Sequence, residues 1–255
     1  MKFLLQREKN GFVDADVCTV DLIIKMLNRW ATRPSESHEV SYASLPCLKD
    51  RIVTVSDPCV IPVGSLEFCT EVAKNFGVDH IPALNIPDSI PSKYVGRDVT
   101  IMQSEDELLD FWNKHQNGII VKPADIAKRF EALEITKDRH LRYLDSRPGP
   151  YFVSELFRSP IVSEWRVFFR EGRIVDARPY VLDKWTVPDR SKVEKLLEDW
   201  KDQPPVGTLD FAVLDTGETY LLEVHPFISC GLYGFEDSEI LWMLRDGWKW
   251  LLEQK

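Results

Sequence analysis

Asp210, Glu223 and His225 are side chains that can hold a divalent cation, and a hairpin-like stretch carries all three. Residues 207–234 read GTLDFAVLDTGETYLLEVHPFISCGLYG: two apolar runs flank Asp215-Thr216-Gly217-Glu218, where Asp and Gly supply the backbone conformations of a tight turn. With Thr216 and Gly217 at its centre, Asp210 lies opposite Glu223. Like charges facing each other on a sheet destabilise it, so the pair calls for a cation, a shared proton or open water. Strand alternation puts Leu221, Glu223 and His225 on one face. Pro226 closes the strand, and Ser229, Cys230, Gly231 and Gly234 follow as small residues suited to close approach of a ligand. The plain alternative is an edge hairpin with solvated acids.

Cationic groups that could meet phosphate lie upstream. Lys122 ends the apolar run Gly118-Ile119-Ile120-Val121-Lys122-Pro123; an ammonium there either reaches solvent or meets an anion, because burying it alone is costly. In Ser163-Glu164-Trp165-Arg166-Val167-Phe168-Phe169, Glu164 and Arg166 share a face with Phe168, either lining a cleft or covering an exposed sheet. Arg178 and Lys184 follow that strand as substrate contacts or surface charges. Ser65, after Gly64, is placed to cap a helix over residues 66–76, whose start either offers free amides to an anion or is an ordinary cap.

The elements that must position these groups follow from periodicity. Residues 2–6 form a short strand, and Val17, Val20, Ile23, Ile24, Leu27 and Trp30 recur at helical spacing behind a capping Asp16. Residues 51–56 alternate as a buried strand. Prolines 82, 87 and 91 mark an extended passage, giving a boundary near Ser92 and domains of 1–91 and 92–255. Ser104 and Glu107 form a capping box. Residues 118–123, 151–157 and 163–169 are strands, residues 189–200 a helix, and Ile240, Leu241, Leu244, Trp248, Leu251 and Leu252 a core-facing helical stripe. Tight turns between neighbouring strands point to an α+β protein with mainly antiparallel sheets.

Composition narrows the classes. The 255 residues carry 32 Lys and Arg against 41 Asp and Glu, a net charge of -9 that disfavours nucleic acid and anionic membrane as partners. Cys18, Cys47, Cys59, Cys69 and Cys230 are odd in number and lack a CxxC pair, so neither a disulfide framework nor a zinc site is expected. No run reaches transmembrane length, and the start lacks the apolar stretch of a signal peptide. A cytoplasmic setting follows as the expectation.

Taken in order, GIIVKP, FVSELF (152–157), SEWRVF (163–168), LDF (209–211) and LEVHP (222–226) resemble the ATP-grasp superfamily, in particular the phage- and bacteria-associated clade named for two arginines and a lysine. The resemblance runs from Ser92 to the end, and the preceding residues look by position like the smaller pre-ATP-grasp α/β domain. It implies that ATP is bound, with Lys122 and more weakly Lys128 on its phosphates, Arg97 or Lys93 as another basic contact, Glu155, Leu156 and Phe157 as the adenine hinge, and Glu164 on ribose. Arg166 would face phosphate or an acyl phosphate, while Asp210 and Glu223 would hold Mg²⁺, which suits few carboxylates plus phosphate oxygens. The family has Asn where this chain has His225, a residue that favours Mn²⁺ or Zn²⁺ more than Mg²⁺, or that could bond phosphate or transfer a proton. The implied activity is ATP-dependent ligation of a small-molecule or peptide carboxylate to an amine; the alternatives are a kinase on the same nucleotide site and a non-catalytic nucleotide-binding regulator.

Overall fold

The structure, a computed structural model, describes residues 1–7, 23–27, 38–115 and 117–254. The chain forms two compact units, Met1–Ile81 with Pro204–Gly207 and Pro226–Lys255, and Pro82–Gln203 with Thr208–His225. This grouping differs from a linear division at Ser92 because the last helix returns to the first unit. That helix, Glu239–Leu252, buries Ile240, Leu241, Met243, Leu244, Trp248 and Leu251. Its Trp248 donates to Pro58 O (2.9 Å) and meets Phe76 edge-on.

In the first unit, β1 (Lys2–Gln6) lies between β2 (Glu39–Ala43) and β3 (Val60–Val63) in a parallel sheet. Ser65 caps helix Leu66–Lys74 as its sequence position implies, accepting from Phe68 N–H. Residues 23–27 are helical with Ile23, Met26 and Leu27 buried; the rest of the expected helix over Val17 to Trp30, with Asp16, lies outside the described residues. The strand expected over residues 51–56 is corrected to a loop: Arg51 has φ 55° and Ile52 is 72 % exposed, while the parallel strand forms at β3. Alternation alone could not separate the two segments.

The second unit holds two four-stranded sheets. One has the order β4 (Val99–Met102), β7 (Tyr151–Glu155), β5 (Ile119–Pro123), β6 (Leu133–Ile135), all paired antiparallel. Its face bearing Ile119, Val121, Tyr151 and Val153 packs with Leu108 and Trp112 of helix Glu105–Lys114. Ser104 caps that helix, and Glu107 accepts from Gln103 N–H, one residue before the cap. By alternation Lys122 and Phe152 occupy the other face. The second sheet has the order β11 (Thr219–Pro226), β10 (Val206–Leu214), β8 (Ile161–Arg170), β9 (Arg173–Leu182). Val167, Phe169, Leu209, Phe211, Leu221 and Val224 form a core with Phe152 and with Val193, Leu196 and Leu197 of helix Arg190–Asp199. The α+β class with mainly antiparallel sheets therefore holds. Among the described residues no helix is long and apolar enough to cross a membrane.

Gly247 shows how tightly the last helix is seated. A Cβ there would lie 2.7 Å from Phe227 O. Gly247→Ala should therefore destabilise the protein by about 1–2 kcal/mol in urea unfolding, overcoming the roughly 1 kcal/mol that alanine gains by helix propensity; a stabilised variant would mean that the helix has room to shift.

Candidate active site

The hairpin carrying the acidic residues closes differently from the simple expectation. Gly217, at φ +84°, donates to Leu214 O, and Leu214 donates to Glu218 O, both at 2.9 Å. Leu214 therefore faces Glu218, and the loop is Asp215, Thr216 and Gly217. The register at the turn is offset by one residue from the one that sets Asp210 across from Glu223. Further along, β11 changes phase: Leu221 and Val224 both enter the same core, which strict alternation forbids. This break corrects the expectation that Leu221 shares a face with Glu223. Leu221 goes to the core, while Glu223 and His225 turn to the side of Asp210.

The three donors converge as the sequence suggests, with ligand atoms all within 4.8 Å of one another. His225 Nε2 lies 2.7 Å from Glu223 Oε1 and 3.7 Å from Asp210 Oδ2. Neighbouring cations compensate the acids. Arg166 forks onto Asp210, Nε to Oδ1 at 2.8 Å and Nη2 to Oδ2 at 2.7 Å, with side chains only 8 % and 2 % exposed. Lys122 donates to Glu223 Oε2. Burial pushes both carboxyls up, but Arg166 together with His225 outweighs it at Asp210, and His225 with Lys122 outweigh it at Glu223, so both stay below the usual carboxylate range. Burial lowers His225, yet the hydrogen bonds and charges of the two acids raise it to about 9.

Glu164 joins this cluster electrostatically: burial raises it, opposed by a Tyr180 hydroxyl bond and by Lys122, while Asp210 and Glu223 raise it further. Tyr180 went unnoticed in the sequence. The β8–β9 pairing slips there, Glu164 facing Val181 and Trp165 facing Pro179, which leaves Tyr180 as the extra residue. Its ring lies 5.8 Å from the Arg166 guanidinium carbon, and burial and nearby acids keep the phenol protonated well above its ordinary range. Asn85 was also missed. Buried, with φ 49°, it donates from Nδ2 to Pro123 O (3.0 Å) and accepts from Val224 N–H (2.6 Å), tying the residue after Lys122 to the residue after Glu223. Only an Asn beside a proline-rich passage signalled it, since Asn tolerates left-handed backbone.

At the proposed hinge, Glu155 N–H is bonded to Asp98 O and Leu156 N–H to Gly118 O. Among the described residues the Phe157 N–H has no protein acceptor. Arg97 stacks on Phe157, with its guanidinium carbon 4.5 Å from the ring centre, and donates to Val95, Leu221 and Leu222 carbonyls. Burial lowers it to about 10, against the pull of Glu223.

Of the other candidates, Lys93 pairs with Asp199 at 2.7 Å, while Arg178 stands directly across β8–β9 from Arg166, on the same face, and pairs with Asp176 at 2.7 Å. Lys128 is exposed at φ 54° and Lys184 is exposed in the loop after β9. Gly64 and Ser65 belong to the first unit, where Ser65 N–H is taken by Gln6 Oε1.

A sequence model describes the fold these residues occupy: ATP-grasp domain, R2K clade family 2, matched over residues 94–243 of 255. The chain belongs to that family. Solved structures agree on the fold. The chain is similar to a RimK domain ATP-grasp protein from Sphaerobacter thermophilus (TM-score 0.56, 10% identity, 98% of each chain covered). It is similar also to D-alanine–D-alanine ligase from Bacillus anthracis (0.54, 12%, 100% of this chain and 99% of that one). A third is D-cycloserine synthetase DcsG (0.53, 14%, 100% and 99%). No curated protein matches the sequence.

Because Asp210 is nearly inaccessible, its ion pair can be tested by stability. Arg166→Met should cost about 3–5 kcal/mol in urea unfolding by leaving a buried carboxylate unpaired, and the double change Arg166→Met with Asp210→Leu should recover most of it. Equal losses in both variants would deny the coupling.

Proposed function

We propose that this ATP-grasp protein is an ATP-dependent ligase that joins a carboxylate to an amine, with small-molecule or peptide substrates. The observation that carries this reading is the convergence of Asp210, Glu223 and His225 with Lys122, Arg166, Glu164 and Tyr180 on one cluster. The fit to a divalent cation rests on the donor set: ionised carboxylates suit Mg²⁺ alongside phosphate oxygens, and His225, on giving up its ring proton, would widen the set toward Mn²⁺. When bound, the metal would offset charge on the transferring phosphoryl group.

The residues divide the remaining work. A carboxylate oxygen of the substrate attacks the γ-phosphorus, ADP leaves with the bond's electron pair, and an acyl phosphate forms. The amine then attacks the acyl carbon, inorganic phosphate departs and the new amide nitrogen loses its proton. Lys122 exchanges its bond to Glu223 for a phosphate oxygen, moving positive charge to where negative charge gathers and releasing Glu223 as a ligand. Arg166 remains forked on Asp210, keeping it ionised and oriented. Glu164, held by Tyr180, suits a ribose hydroxyl. The unbonded Phe157 N–H offers a donor to an adenine edge. No protein nucleophile is required, so catalysis rests on positioning and electrostatics.

Thermal unfolding with Mg²⁺ and AMPPNP tests this reading. At a hundredfold excess over Kd, binding adds about 2.7 kcal/mol, a Tm rise of about 5–10 °C for a chain of this size. Asp210→Asn and Glu223→Gln should abolish the rise. A turnover screen with paired carboxylates and amines should release ADP only when both are present. No shift with Mg²⁺ or Mn²⁺ contradicts nucleotide binding; ADP release without a joined product indicates a kinase instead.

A further inference from the structure

Resting on that nucleotide-site reading, the geometry points to Arg97 as a positioning residue that holds the irregular turn of β11 and so couples the hinge to Glu223 and His225. Arg97 donates Nη1 to Leu221 O (2.8 Å) and Val95 O (3.1 Å), and Nη2 to Leu222 O (3.2 Å), with Nε toward Ser154 Oγ at 3.4 Å. Every one of these acceptors is neutral. A guanidinium that gives three of its five N–H groups to carbonyls and a fourth to a hydroxyl is built into the scaffold more than it is offered to a phosphate.

The carbonyls it takes are those at the break. Leu221 and Val224 enter one core, so β11 changes phase between them, and a strand irregularity leaves ladder groups unpaired. Arg97 supplies donors at that point, one residue before Glu223. The approach depends on Gly96, at φ +67°: a Cβ there would lie 2.3 Å from the Tyr220 ring. While its edge donates, the face of the guanidinium stacks on Phe157, which also stacks on Tyr220 at 5.6 Å. One planar side chain thereby joins the hinge to the strand bearing the carboxylate and imidazole donors.

A lysine cannot reproduce this. It keeps the charge but lacks the planar fork and the stacking surface. Phosphate binding by Arg97 would survive Arg97→Lys in large part, whereas the positioning role would not. Amide hydrogen exchange and Mg²⁺·AMPPNP titration of the full chain, Arg97→Lys, Arg97→Met and Phe157→Leu decide between them.

The positioning role gives at least tenfold faster exchange over residues 219–226 in Arg97→Lys, with β8 within twofold of the parent, and at least tenfold weaker AMPPNP binding. Arg97→Met should behave alike; should it fail to fold, Arg97→Lys carries the test. In Phe157→Leu, AMPPNP no longer adds protection to residues 219–226. Parental exchange and affinity in Arg97→Lys would overturn the proposal in favour of a charge contact. Uniformly faster exchange across both sheets would overturn it in favour of a general stabilising role. A parent chain that binds no AMPPNP would refute the nucleotide site, while the exchange of Arg97→Lys would still settle whether Arg97 holds the strand.

Discussion

Asp210 is a carboxylate with almost no access to water, and its charge is tolerable because Arg166 meets it with a two-point fork. Moving either ion from water costs several kcal/mol even after relaxation, and their mutual attraction repays that only when geometry is good and remaining donors are satisfied. The pair therefore constrains its surroundings. β8 must present Arg166 beside the middle of β10, and neither side chain can be lost alone. A hydrophobic pair could stabilise the sheet as well; on the proposed function, the ion pair holds an ionised ligand in a nearly dry site.

Around that fixed point the other charges are more exposed and more exchangeable. Lys122 and Glu223 are each about a fifth exposed, 22% and 23%, and His225 is 36% exposed. On the proposed function this gradient separates roles: the buried pair holds position, whereas the half-buried groups change partners when a phosphate and a metal arrive. Asn85 and Arg97 are the backbone clamps that keep these elements in register, one bridging β5 to β11 and the other gripping β11 where its alternation breaks.

Much of this was legible in the chain. GIIVKP and LDFAVL became strands because short apolar runs bounded by Gly, Pro and turn residues bury well in sheets, and Ser65 and Ser104 capped their helices as side-chain acceptors should. The convergence of Asp210, Glu223 and His225 was legible too, although the register assumed for it was not. Two departures from ideal geometry, the loop ending at Gly217 and the phase change before Val224, together deliver the residues to one place. Bulges are set by tertiary packing, so Tyr180 stayed hidden for the same reason. The resemblance implies Arg97 as a basic contact for the nucleotide, and nothing local in the sequence announces that its acceptors are carbonyls, two of them from a distant strand.

On the proposed function, Lys122 and Arg166 compensate the site carboxylates in different ways, one exchangeable and one fixed. A crystal structure with Mg²⁺ and AMPPNP separates the two. It should show the Lys122 ammonium on a phosphate oxygen, Glu223 and Asp210 on the metal, and Arg166 still forked on Asp210. A nucleotide bound with the Lys122–Glu223 pair intact, or an Arg166 released from Asp210 onto phosphate, would contradict this division.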